Sequence, residues 1–169
     1  MVLNYDSWIT NRLVYNSLIN SPGHQLTNGD LYYFSKVVED QPSGTIYFGL
    51  IIGSKPISFT FDVGCSDQIK VEFFEDTDFT GGTQMQLENK NRTSTSLPEV
   101  NIYSNPTVND EGNKIFESIE GTEKSRRIGN AVSLRDNEFF ILKPNTKYLM
   151  KLTTYNSADI SLLADFWEL

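Results

Sequence analysis

The chain predicts an all-β protein built as an antiparallel sandwich, and three observations carry that prediction. Along KPISFTFDVGC, Ile57, Phe59, Phe61 and Val63 alternate with Ser58, Thr60 and Asp62. A period of two turns one side of a strand toward a core and the other toward solvent. Strand-like runs then recur at about ten-residue spacing with polar or glycine-containing connections, which fits antiparallel sheets rather than alternating β and α units. No long helical period appears after residue 44.

Taken in order, residues 1–43 differ from the rest, being rich in Asn, Ser and Tyr and interrupted by Pro22, Gly23, Asn28, Gly29 and Pro42. They read as an N-terminal extension or arm, joined at QPSG to a sandwich domain spanning residues 44–169. Within the extension Asp6 can cap a short helix that carries Ile9 and Leu13 on one face. Trp8, Ile9, Leu13, Tyr32, Tyr33 and Phe34 are too many apolar residues for a flexible tail, so they must pack on their own domain, on a sister subunit or on another protein. Removal of residues 1–40 is expected to leave the sandwich folded while partner binding is lost.

The run after Val63 alternates again, with Ile69, Val71 and Phe73 set against Lys70 and Glu72. Its short turn-like link to the preceding strand predicts an antiparallel pair. Further strands are expected around TQMQLE, KIFESIE, AVSL and EFFILK. EFFILK and TKYLMKLTT, separated by Pro144 and Asn145, predict a β-hairpin. The last run ends in Phe166, Trp167 and Leu169. Leaving these in water would forfeit about 1.5 to 3 kcal/mol each, so the C-terminal run is expected to be an integral strand.

Composition narrows the function. With 169 residues the chain fits one domain that needs no external staple. Cys65 is the single cysteine and reads as a free structural thiol. No apolar run resembles a secretory leader or approaches the roughly 18 residues of a membrane span, so the expected setting is a reducing, soluble compartment with no membrane partner. A net charge of −8 argues against nucleic acid, whose affinity for proteins comes mainly from Lys and Arg displacing counterions. The basic pairs Lys90 with Arg92 and Arg126 with Arg127 are flanked by acidic residues and read as solvated loops. Asn91-Arg92-Thr93 matches a glycosylation acceptor by chance.

Catalytic patterns are missing. His24 is the only histidine, which removes the usual triad base, and no nucleophile elbow, phosphate loop or zinc signature occurs. The carboxylate pairs Glu75/Asp76, Asp110/Glu111 and Asp136/Glu138 sit in polar turns and read as turn formers. The chain is accordingly read as a non-enzyme with no catalytic residue, no cofactor and no metal site. One loop mimics a calcium pattern, with Asp76, Asp78, Thr80 and Gly81 at its first, third, fifth and sixth positions, but Leu87 stands where the closing carboxylate belongs. An Asx-type turn and a looser calcium site are the two readings of that loop. Exposed Trp8 or Trp167 would be the platform for a carbohydrate-binding alternative.

The block GGTQMQLENKNRTSTS, followed by NPTVNDEG and closing with LKPNTKYLMKLT and ADFWE, resembles small virion structural proteins of tailed bacteriophages, of the capsid decoration (auxiliary or cement) type. The likeness covers residues 44–169 and rests on the order of its elements: a strand pair like SFTFDV and KVEFFED, a GGT turn, an N-x-NR segment, a PTV-like loop and a terminal L-x-P-NT-x-Y hairpin. It implies a jelly-roll-like β-sandwich that binds the outside of an assembled capsid and stabilises it. It also implies a homo-oligomer, commonly a trimer, with the major capsid protein as partner and no enzymatic activity. The location implied is the virion surface, after synthesis in the host cytoplasm. On this reading Trp8, Ile9, Leu13, Tyr32, Tyr33 and Phe34 are the expected capsid or intersubunit contacts, since aromatic anchors concentrate at interfaces. A head-fibre, tail or adaptor component is the competing virion role.

Overall fold

The computed structural model describes residues 22–120, 130–133 and 139–169. Among the described residues one short helix, α1 (Pro22–Asn28), precedes β1 (Leu31–Gln41), β2 (Gly44–Ile51), β3 (Ile57–Cys65) and β4 (Ile69–Glu75). Five short strands follow: β5 (Asp78–Thr80), β6 (Thr83–Gln84), β7 (Glu88–Asn89), β8 (Asn101–Ser104) and β9 (Thr107–Asp110). The chain closes with β10 (Asn113–Glu120), β11 (Asn130–Ser133), β12 (Phe140–Leu142), β13 (Lys147–Thr154) and β14 (Ala158–Glu168).

The strands form two facing antiparallel sheets. The first runs β11-β3-β14-β1-β7, with β12 also paired to β3, and the second runs β10-β4-β13-β2-β8-β6. Within them β1 pairs β14, β2 pairs β13, β3 pairs β12 and β4 pairs β10, with successive pairs falling alternately in the two sheets. That nesting is the jelly-roll order. The expected all-β, jelly-roll-like sandwich is therefore what the chain forms.

Two expected pairings are not present. β3 lies in the first sheet and β4 in the second, and β12 pairs with β3 while β13 pairs with β2 and β4. Neither couple is a hairpin. A link of three or four residues spans about 10 Å, which is also the distance between packed sheets, so a short connection can cross a sandwich as easily as it closes a ribbon. Between β12 and β13 the crossing is shaped by Pro144 and by Asn145, which takes a left-handed φ of 54°. The Asn145 N–H is anchored on the Gly53 carbonyl at 2.8 Å.

The arm boundary also moves. β1 lies inside the first sheet between β14 and β7, with Leu31 opposite Trp167 and Phe34 opposite Ala164. Tyr32 and Phe34 point inward and are buried, and the Tyr32 ring stacks on Phe166 at 5.6 Å. The sandwich therefore begins before residue 44, and stripping residues 1–40 would uncover one side of β14 together with Phe166.

Between the sheets the core is a run of touching rings. Phe73 of the second sheet meets Phe59, Phe61 and Phe140 of the first and Tyr148 beside it, at centroid distances of 5.5 to 6.2 Å. The C-terminal run is an integral strand as expected, β14 being central between β1 and β3, with Phe166 and Trp167 buried. Leu169 departs from that expectation, lying past the strand and 44% exposed.

The segment between β4 and β10 is an insert on the eight-stranded frame. Its β7 extends the first sheet beside β1, and its β8 and β6 extend the second beside β2, so it covers the same edge of both layers. Its β5 and β9 pair with each other over the outer face of the second sheet, where Phe79 packs with Phe74 and Leu149. Phe79 sits so close to Gly49 that a Cβ there would lie 2.5 Å from the ring. Glycine at this position admits the flap.

Candidate functional site

The sequence placed its contact residues at Trp8, Ile9, Leu13, Tyr32, Tyr33 and Phe34. Trp8, Ile9 and Leu13 lie outside the described residues. Tyr32 and Phe34 are 2% and 1% exposed, so they cannot anchor a partner as expected; strand alternation turns them into the core, where Phe166 completes their packing. Tyr33, one residue out of phase, faces outward and is half-buried beneath Lys90, whose ammonium stands 5.9 Å from the ring and 2.5 Å from Asp165.

The outer face of the first sheet carries a different apolar group. Ile141 and Trp167 both pair with Ser58, which sets them in one row across β12, β3 and β14. Ile141 is 61% exposed. Phe139, also exposed, stands edge-on against the Trp167 indole at 5.1 Å. Trp167 thus supports the patch from below while Phe139 and Ile141 present it. In sequence the residues are far apart, and only the register of three strands joins them.

Beside the Phe79 flap, the outer face of the second sheet is ionic. Glu72, nearly buried, accepts from Lys70 at 2.9 Å and Lys114 at 3.1 Å, with Lys151 at 4.0 Å. Lys151 also binds Glu111 at 2.7 Å, and Lys70 and Lys114 both reach Glu117. Burial pushes the Glu72 carboxyl up, but the bonds from Lys70 and Lys114 outweigh it and hold it below the usual carboxylate range. Each of these lysines is matched by a carboxylate, so this face is a structural network rather than a phosphate-binding patch.

The carboxylate pairs are likewise engaged. Glu75 takes Lys143 on one oxygen at 2.5 Å and the Tyr148 hydroxyl on the other at 2.8 Å, and these bonds keep its carboxyl low. Burial pushes the Tyr148 phenol well above its ordinary value. Asp110 accepts from the Gly112 N–H at 3.0 Å, closing an Asx turn. Asp136 and Glu138, like Arg126 and Arg127, lie outside the described residues. In the calcium-like loop Asp78 is bound by Lys147 at 3.1 Å and Asn109 at 3.0 Å, so an ammonium already stands against this carboxylate. Among the described residues no group of three or more metal-ligating side chains converges. No helix among them is long and apolar enough to cross a membrane.

The insert forms a polar cavity of about 290 Å³ beside β1. Tyr32 is at its back, its hydroxyl 2.8 Å from Ser96 Oγ. Gln86, Glu88 and Arg92 form a bonded chain along one wall, with Gln86 Nε2 donating to Glu88 Oε1 and Arg92 to Glu88 Oε2. The loop is tied down by its own side chains. Asn91 Oδ1 accepts from the Thr93 N–H and hydroxyl, Asn91 N–H donates to Asn89 Oδ1, and Asn89 Nδ2 donates to the Gly29 carbonyl at 2.6 Å. Sequence reasoning missed this site because Asn, Ser and Thr in series read as solvated loop. Its back wall comes from a residue some sixty positions earlier.

No protein-family profile and no curated protein matches this chain. Among solved structures, the crystal structure of the T13 infectious bursal disease virus particle aligns over 83% of this chain and 40% of its own, at 10% identity and a TM-score of 0.19. The infectious bursal disease virus Gx strain aligns over 82% and 41%, at 10% identity and a TM-score of 0.16. The chain spans about two fifths of the length of these proteins, and likeness at this level carries no argument about either fold or function.

Proposed function

We propose that the protein is a non-enzymatic capsid decoration protein of a tailed-phage virion, bound to the outer surface of the assembled shell through the major capsid protein. The observation that carries this reading is the order of the sequence motifs and where they fall on the jelly roll. SFTFDV lies in β3 and KVEFFED covers most of β4, strands of opposite sheets whose Phe59, Phe61 and Phe73 rings meet in the core. GGT leads from β5 into β6, the N-x-NR segment follows from β7, and NPTV leads into β9. LKPNT makes the crossing from β12 to β13, and ADFWE ends β14. The motifs thus coincide with frame strands, crossings and turns of the insert, as expected of a pattern that specifies a scaffold. A jelly roll hosts capsid, lectin and cupin domains alike, so the fold supports the role without selecting it.

A homotrimer, as the resemblance implies, would multiply modest contacts with the shell through effective concentration. The surface best suited to that contact is the Phe139–Ile141 patch over Trp167, because Tyr32 and Phe34 are unavailable. Ile141→Asp is expected to change stability by no more than about 0.5 kcal/mol while weakening co-sedimentation with assembled shells. Unaltered co-sedimentation would move the contact elsewhere. The decisive experiment is the copy number and position of the protein in purified virions, by quantitative mass spectrometry with cryo-imaging. On the order of hundreds of copies on the shell lattice are expected for a decoration protein. A handful at one vertex or on the tail would make it an adaptor or fibre component, and absence from the particle would overturn the virion reading.

A further inference from the structure

From the polar cavity of the insert we infer a binding site for a single neutral sugar ring, framed by Gln86, Glu88, Arg92, Thr95 and Leu97. Three properties of the cavity select this ligand. The first is size: about 290 Å³ lies at the small end of ligand sites, enough for one ring and too little for a chain of them to be enclosed. The second is charge. Arg92 is neutralised by Glu88, and the chain as a whole carries −8, so nothing favours a phosphate or other anion. What the wall does present is a row of planar amide, carboxylate and guanidinium groups with both donors and acceptors. Such groups match adjacent hydroxyls, and the Arg92 side chain, 70% exposed, keeps further N–H donors beyond the one given to Glu88.

The third property is the rim. Leu97 is 84% exposed, the most exposed large apolar residue described, and it lines the cavity together with Thr95. A leucine at a polar cavity is suited to the C–H face of a sugar while hydroxyls engage the wall. Ordering this loop costs little at the moment of binding, because the Asn89, Asn91 and Ser94 side chains already hold its backbone. A Cβ at Gly29 would lie 2.5 Å from Ser94 Oγ, which shows how closely the loop is seated on the turn before β1.

The test uses the isolated full chain and does not depend on the virion reading. Backbone amide shifts are followed by NMR as glucose, galactose, mannose and N-acetylglucosamine are titrated separately, with inorganic phosphate as the anion control. At least one sugar is expected to saturate shifts confined to residues 86–98 and the adjoining Tyr32, with a dissociation constant on the order of 1 mM. Arg92→Ala is expected to weaken that binding about tenfold. Because this substitution also frees Glu88, Thr95→Val provides an independent variant that leaves the hydrogen bonds of Asn89, Asn91 and Ser94 intact, and it too is expected to weaken binding. Absence of a response to every sugar, shifts confined to residues away from the cavity, binding unaffected by both variants, or phosphate binding in place of sugar would each overturn the inference.

Discussion

Between the sheets the protein is held by rings that touch one another, whereas the insert from Asp76 to Gly112, outside the Val100 and Ile102 it gives to the core, is held largely by short polar side chains folded back onto their own backbone. Phe59, Phe61, Phe73, Phe140 and Tyr148 pack across the sandwich without directional bonds, and each is secured by residues far away in sequence. In the insert, Asn89, Asn91 and Asp110 close turns two residues away; Gly112 takes a left-handed angle in the Asp110 turn, and Gly81 and Gly82 do so between β5 and β6. Phe79 is its main attachment to the outer face of the second sheet. The core is therefore one cooperative unit. The insert is a set of local structures that can be perturbed singly, which is where a protein keeps its adaptable surface.

The largest break in that contrast comes from removing residues 1–41. This takes β1 out of the first sheet and uncovers Phe166, so the cooperative thermal transition should be lost, as circular dichroism would record. A truncated chain that melts sharply near the full-length temperature would contradict the placement of β1. Next in size is Phe73→Ala, expected to destabilise the whole fold by about 3 to 5 kcal/mol in denaturant titration, because its neighbours cannot close the void. Gly49→Ala should act on the insert alone. The new methyl meets the Phe79 ring, at an expected loss of about 1 to 3 kcal/mol, with hydrogen exchange rising in β5 and β9 while β3 and β14 stay protected. Equal loss of protection in β14 would mean that the two regions are coupled.

The smallest effect is ionic and sharpens the comparison from the outside. The folded carboxyls of Glu72 and Glu75 titrate below their unfolded values: bonds from Lys70 and Lys114 overcome burial at Glu72, and Lys143 and Tyr148 hold Glu75. Their contribution is fully present above the unfolded value of about 4.3 and is lost as pH falls through the folded one. The melting temperature should accordingly be level from neutral pH to about pH 5 and decline below it, and Glu72→Gln should flatten that decline. A melting temperature unchanged down to about pH 3 would show that these carboxyls are not bonded in solution as described.

What the sequence disclosed follows the same division. Alternation at Ile57–Val63 and Ile69–Phe73 identified both strands and their inward faces, because a period of two is a property of one strand in isolation. It did not identify partners. Pairing is decided by which sheet a strand joins, and a short link permits either choice, so β3 with β4 and β12 with β13 were both assigned as ribbons. Tyr32 and Phe34 were assigned to an arm because proline and glycine surround their segment, although their own alternation with Tyr33 and Ser35 is that of a strand. The Phe139–Ile141–Trp167 row and the cavity of the insert left no local signal. Each is assembled by register between distant segments.

The position of β14 has a consequence in time as well as in space. It enters the first sheet between β1 and β3, which means that a strand synthesised after every other described strand fills the middle of the layer rather than its edge. Until it arrives, β1 and β3 each present an unpaired row of N–H and C=O groups beside exposed Tyr32, Phe34 and Phe59. The β1–β14 pairing also joins segments more than a hundred residues apart, and its loop entropy must be met before any of its contacts form. Folding is then expected to take on the order of milliseconds to seconds, with completion of the sheet deferred until β14 has been made and released from the exit tunnel. A nascent chain stalled before Ala158 would be the aggregation-prone species of this protein.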